Sequence, residues 1–288
     1  GYKGHEAAAI EAVASTGGML TPPIMGSAAF LMADFLQISY GSVALAATLP
    51  AVLFYFSLIL VADSIAIKSN IKGLLREELP NLKTVMKERG ILAVPIVCLV
   101  VLITAGYSPM KSAVFCIASI LVIAFFRKEN RPTLKKILTA LENGASSIAG
   151  IACTCATAGI IVGTMTMTGL SAKLSASMVA LSHGSLYLAA FWTAIISIVL
   201  GCGMPAAAVY IILAAVLANP LIHMGVLPIA AHMFILFFAC IGTITPPVAI
   251  TSYTAAAISG ANENKTGFAA FRYGAVAYLI PFISIFSP

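Results

Sequence analysis

Between Val43 and Ile67 an otherwise uncharged, mostly apolar run holds a single charged side chain, Asp63. About 20 apolar residues in helical form span the hydrocarbon of a bilayer, so this segment is long enough to cross with some tilt. It is one of seven or eight such stretches, and together they leave the whole chain 60% hydrophobic and only 9% charged. A soluble domain carries roughly a quarter charged residues. So few charges cannot cover a surface against water, and the composition predicts an all-α integral membrane protein with lipid around it.

The basic residues sit between the apolar stretches. Eleven of the 16 lie in two polar connections, 68–90 and 127–136. Loops of this kind beside spans mark the cytoplasmic face. No basic groove interleaved with stacking aromatics is present, which argues against a nucleic-acid role despite the net charge of +6. All six cysteines fall inside apolar stretches, and Cys153 and Cys155 are two apart on an expected helix, which is no zinc spacing. They read as small packing residues. His5, His183, His223 and His232 show no ligand spacing either. The clusters Met165/Met167 and Phe234/Phe237/Phe238 read as lipid-facing or packing surface.

Three regions follow. Residues 1–67 hold a broken segment, His5–Leu36, and the span Val43–Ile67. Residues 68–136 hold the first basic connection with a helix-like Leu82–Arg89, a hairpin of Ile91–Gly106 and Met110–Phe126 around Tyr107-Ser108-Pro109, and the second basic connection. Residues 137–288 hold Ile137–Leu170, a short Ser-rich connection Ser171–Gly184, the arms Leu186–Leu200 and Ala206–Ala218, the broken Leu227–Thr254 and the last span Gly267–Phe286.

The breaks carry the functional information. Proline removes a backbone donor and glycine loosens a helix. In hydrocarbon the freed backbone groups are tolerated only where they are buried in protein or line a cavity. Two breaks match each other at an offset of 224: Gly18-Met19-Leu20-Thr21-Pro22-Pro23-Ile24 and Gly242-Thr243-Ile244-Thr245-Pro246-Pro247-Val248. A third, Gly201-Cys202-Gly203-Met204-Pro205, separates two arms short enough to be a re-entrant hairpin. With both basic connections on the cytoplasmic side, the two broken segments run in opposite directions, so an inverted repeat is expected. A hairpin matching 186–218 would precede Gly1, so the chain is expected to be an excerpt of a longer protein.

Inverted repeats with discontinuous helices place a substrate and ion site at mid-membrane. Here Gly18 and Gly242 would expose carbonyl oxygens, Thr21 and Thr245 would add hydroxyls, and Gly201, Gly203 and Pro205 would face them from the hairpin tip. Neutral oxygens suffice for a monovalent hard cation such as sodium. The same residues would also serve as proline kinks for packing, with Gly and Thr re-satisfying the backbone. Glu11, about two turns before the first break, is either an intramembrane carboxylate that tunes the site or a group facing water at the cytoplasmic end. Arg272 reads as a snorkelling side chain, and Asp34, Asp63 and Lys173 as interfacial.

Glu11-Ala12-Val13-Ala14-Ser15-Thr16-Gly17-Gly18 followed by Thr21-Pro22-Pro23-Ile24-Met25-Gly26 resembles the large membrane subunit of TRAP (tripartite ATP-independent periplasmic) transporters. Gly201-Cys202-Gly203-Met204-Pro205, Ala230-Ala231-His232 and Thr245-Pro246-Pro247-Val248-Ala249 resemble the second half of that subunit, in the same order. The likeness covers essentially the whole chain and is greatest to permeases with a fused small subunit that work with TAXI-type periplasmic receptors. It implies an elevator-type permease of the bacterial inner membrane, with the inverted-repeat architecture of ion transporters. A small organic anion, delivered by the receptor, would be driven by sodium. It also implies sodium sites at Gly242, Thr245, Val248 and Gly203, and by repeat symmetry at Gly18, Thr21 and Ile24. Glu11, Ser15, Thr16, Pro22, Pro23, Met204, Pro205, Pro246 and Pro247 become substrate or coupling candidates. Around Ala206 the chain departs from the family pattern, and no substrate contact is carried over there.

The alternative within this architecture is a receptor-independent carrier for dicarboxylates or oxyanions. A membrane-embedded enzyme would need Ser/His, paired acids or a His-metal cluster facing one cavity, and the sequence offers none.

Overall fold

The computed structural model describes residues 1–73, 79, 81–126 and 131–286, and every regular element among them is helical. Parts of the two basic connections, 74–78, 80 and 127–130, lie outside the described residues, as does the side chain of Cys155. The chain divides into two compact units, residues 1–71 with 154–288 and residues 72–153.

The larger unit opens with α1 (Gly4–Gly18), α2 (Ser27–Leu36) and α3 (Tyr40–Lys68). Helix α3 is apolar on both faces. Val43, Ala47, Pro50, Ala51, Phe54 and Leu58 are buried, at spacings of three and four, while Leu45, Leu49, Val52, Phe56 and Ile59 are exposed. That is what a helix between protein and lipid requires: close packing on one side and bulk hydrocarbon on the other.

The core of this unit is a later helix, Pro228–Gly242. Every residue from Ala230 to Gly242 is buried. An all-apolar helix is either enclosed by protein or faces lipid, and here protein encloses it on every side. Phe234 and Phe238 are tilted against each other with ring centroids 4.9 Å apart, and both meet Phe282 edge-on at 5.2 and 5.6 Å. The phenylalanine cluster is therefore packing surface.

The smaller unit contains α4 (Leu82–Arg89), which starts where Asn81 accepts a hydrogen bond from the Lys83 amide, and a 3₁₀ turn at Gly90–Ala93. There α5 (Val94–Thr104) and α6 (Pro109–Phe126) form the expected hairpin, in which the Cys116 thiol donates to the Pro95 carbonyl at 3.3 Å. The helix α7 (Leu134–Met167) begins in this unit.

The structure departs from the sequence reading in three places. The Ser-rich connection 171–184 is largely helical, as α8 (Leu170–Leu181). Leu170, Leu174, Met178 and Leu181 recur at helical spacing there, and the chain turns instead at Gly169, His183 and Gly184, all of which have positive φ. The first hairpin arm is α9 (Leu186–Gly201), and the second runs past Ala218 to His223. It does so through α10 (Ala206–Leu213), a π turn at Ala214–Ala218, and α11 (Asn219–His223). Pro220 lacks the donor a regular turn would need, and the wider π turn before it absorbs the mismatch. At 18 residues the second arm is long enough to cross a membrane.

Third, the last span bends by 57°. After α12 (Pro228–Gly242) and α13 (Ile250–Ser259), α14 (Glu263–Tyr273) gives way at Gly274 to a 3₁₀ turn, Ala275–Tyr278, and then to α15 (Ile280–Phe286). A Cβ at Gly274 would lie 3.1 Å from the Ile244 side chain and 3.2 Å from the Ala270 carbonyl. By length and composition, two helices among the described residues can cross a membrane, or up to four if each bent pair is one span.

Candidate functional site

The two proline breaks share one geometry. Helix α1 ends as Met19 donates its amide to Thr16 at 3.1 Å and Leu20 to Gly17 at 3.0 Å. At the end of α12, Thr243 donates to Cys240 at 3.1 Å and Ile244 to Ile241 at 3.0 Å. The Thr21 hydroxyl donates to the Gly17 carbonyl at 2.7 Å, and that of Thr245 to the Ile241 carbonyl at 2.8 Å. The Pro22–Pro23 and Pro246–Pro247 peptide bonds are both cis. Each loop closes with a bond back to its threonine carbonyl, from Met25 at 3.1 Å and from Ala249 at 3.2 Å, and both closing residues have positive φ. The Pro23 carbonyl accepts from Tyr40 and the Pro247 carbonyl from Tyr253, each at 2.8 Å.

The correspondence continues past the loops with a shift. Up to Met25 and Ala249 the offset is 224. From α2 and α13 onward it is 223: both helices have ten residues and end in a left-handed residue, Gln37 and Gly260. The next helices are capped by Ser39 and Asn262, which accept from the amides of Ser42 and Lys265. Gly26 is the residue that the second copy lacks.

Two prolines in succession leave each loop with more carbonyl acceptors than amide donors, and the threonine adds a hydroxyl oxygen. Among the described residues no three His, Cys, Asp or Glu side chains gather to hold a metal ion, so a cation at these loops would rest on neutral oxygens. This donor set fits a hard monovalent ion. Thr245 is 7% exposed and Thr21 half-buried, while Ile24 and Val248 are exposed.

At the second loop the hairpin tip is brought in by Gly201 and Cys202. A Cβ on Gly242 would lie 2.7 Å from the Cα of Gly201, and the Cys202 thiol reaches the Thr245 carbonyl at 3.6 Å. Gly203 and Pro205 are exposed, Met204 is half-buried, and nothing lies within 4 Å of where a Gly203 Cβ would be. The glycine that meets Gly242 is therefore Gly201. Gly18 is half-buried and likewise open. Pro22, Pro23 and Pro246 are half-buried, and Pro247 is exposed.

Glu11 and Ser15 lie on the exposed face of α1, joined by a 3.0 Å bond from the Ser15 hydroxyl to the Glu11 carboxylate. With Thr251 and Thr254 of α13 they line a groove of about 660 Å³. Thr16 is turned inward and donates to the Ala12 carbonyl at 2.9 Å, so it does not share that groove. His232 is buried, with its Nδ1 2.8 Å from the Tyr210 hydroxyl, and ties α12 to α10.

Sequence reasoning missed Tyr278, whose hydroxyl is 2.6 Å from the Thr245 Oγ1. Its spacing carries a signal only once the offset of 223 is known.

No curated protein matches this chain. A family model does match, over residues 1–288, and its description is DctM, tripartite ATP-independent periplasmic transporter, DctM component. That component is a permease of a secondary transporter, not an enzyme, and it works with a periplasmic solute receptor. The matched length, the apolar helices and the repeated loops agree, and the chain belongs to the DctM family of TRAP transporter membrane components.

Proposed function

We propose that this chain is the core of a sodium-coupled permease of the bacterial inner membrane, importing a small organic acid handed over by a TAXI-type receptor. The observation that carries the coupling is the duplicated loop. Two carbonyl-rich breaks, each with a threonine hydroxyl turned back on its own helix, offer neutral oxygens in the same arrangement. Sodium would bind at Gly242, Thr245 and Val248 beside the hairpin tip, with Gly203 from its open end, and at Gly18, Thr21 and Ile24 in the first copy. The opposed directions expected from the basic connections make the copies an inverted repeat, with Leu186–His223 as a re-entrant hairpin. The TAXI type and a fused small subunit rest on the likeness of the Glu11–Gly26 segment to that branch of the family.

The test is uptake by the full-length parent in proteoliposomes with its receptor, using labelled organic acids with and without an inward sodium gradient. Sodium-dependent uptake that collapses in Thr245→Ala is the expected result. Uptake indifferent to sodium, or an unchanged variant, would remove the coupling and leave the loops an architectural role.

A further inference from the structure

The two loops match in backbone, and one of their differences lies at the threonine hydroxyl oxygen. In the first, the Thr21 hydroxyl donates to the Gly17 carbonyl. In the second, the Thr245 hydroxyl makes the same bond to the Ile241 carbonyl at 2.8 Å and also meets the Tyr278 hydroxyl at 2.6 Å. The counterpart of Tyr278 at the offset of 223 is also a tyrosine, Tyr55, but its hydroxyl is used elsewhere: it donates to the Ala14 carbonyl at 2.9 Å. Equivalent phenols thus sit behind both breaks, and only one rests on the threonine.

A hydroxyl has one proton and two lone pairs. The back-bond to the helix takes the threonine proton in both copies, so at the second loop the phenol is the donor and its proton lies on Thr245 Oγ1. A cation binding that oxygen would face this proton at close range and would draw electron density from the lone pair that holds it. The two demands on one oxygen oppose each other. Tyr278 follows the bend at Gly274, in the 3₁₀ turn between α14 and α15, so the phenol also ties the last helical segment to the loop.

We propose that Tyr278 is a positioning residue that makes the second cation site bind more weakly than the first and links its filling to the last helical segment. The inference rests on the reading of the loops as sodium sites. When sodium takes Thr245, the phenol turns its proton away and the bond to the last segment is released. The first site carries no such competitor, and it fills at lower sodium.

The experiment measures the half-saturating sodium concentration of the purified full-length protein, by sodium-dependent protection from heat and by uptake. Tyr278→Phe keeps the ring, which packs edge-on to Phe271 at 5.4 Å, and removes only the hydroxyl. Losing one neutral hydrogen bond shifts an equilibrium by roughly twofold to tenfold, so Y278F should lower the half-saturating sodium concentration by that factor. Tyr55→Phe, which loses a bond to a backbone carbonyl alone, should leave it where it was. On a Thr245→Val background, where uptake is lost, Y278F should have no further effect on sodium-dependent protection from heat, because the oxygen in dispute is gone. An unchanged or raised value in Y278F overturns the proposal, as does an equal fall in Y55F or a persisting effect beside Thr245→Val. A wild-type protein with no sodium response at all overturns the sodium reading beneath it. A clear wild-type response that ignores Y278F removes the phenol's role alone.

Discussion

At the scale of single residues, the four glycines at the breaks and the tip do different work. Gly242 and Gly201 let α12 and α9 touch backbone to backbone, and a Cβ on Gly242 would come 2.7 and 2.8 Å from the Cα and carbonyl carbon of Gly201. Backbone cannot swing aside as a side chain can. Gly242→Ala should therefore destabilise the protein by about 1–3 kcal/mol, the usual range for overpacking a tight contact, and lower its melting temperature in detergent. Gly203→Ala meets nothing within 4 Å and should change stability by less than about 0.5 kcal/mol in the same measurement. The sequence motif lists both glycines without ranking them. Its spacing locates the tip but does not say which glycine of Gly-Cys-Gly turns toward Gly242, because that depends on where α9 ends. For the same reason Tyr278 was not legible: its partner lies 33 residues away and the bend at Gly274 delivers it.

At the scale of elements, helix α3 shows why apolar content located the spans and said little about their faces. Its buried and exposed sides are both hydrophobic, so polarity has no period to read, and size gives none either: Phe54 is buried as Ala47 is, and Ala46 is exposed as Leu49 is. Ala47→Leu should destabilise by about 1–3 kcal/mol through overpacking, whereas Leu49→Ala, on the open face, should stay within about 0.5 kcal/mol. Thermal unfolding in one detergent checks the pair. The proline breaks were legible because Thr-Pro-Pro leaves little choice of backbone, and the hairpin α5–α6 because Tyr107-Ser108-Pro109 stands between two clean apolar runs. Helix α8 was not, because serines at Ser171, Ser175 and Ser177 read locally as a connection. Leucine and methionine at every third or fourth position outweigh them once there is a neighbour to pack against.

At the scale of the molecule, the distribution of basic residues predicts sidedness. Lys72 and Lys135 belong to the two basic connections and are exposed, and Tyr107 at the tip of the α5–α6 hairpin is half exposed. Single cysteines at 72 and 135, in a chain freed of its six native cysteines, should react with an impermeant thiol reagent from the cytoplasmic side only. A cysteine at 107 should react from the opposite side. Labelling of 72 and 135 from different sides would undo the opposed directions assigned to the broken helices. The duplicated halves also differ by one glycine, Gly26, at the join between the loop and the next helix. That join lets a residue be gained or lost while the loop's hydrogen bonds and the helix beyond both survive. Positions in the two halves therefore correspond at one spacing inside the loop and at another beyond it. Carrying a single spacing through would rotate every later helical face by about 100°. Tyr278 would then be paired with Phe54, and the equivalence of the two phenols would vanish from view.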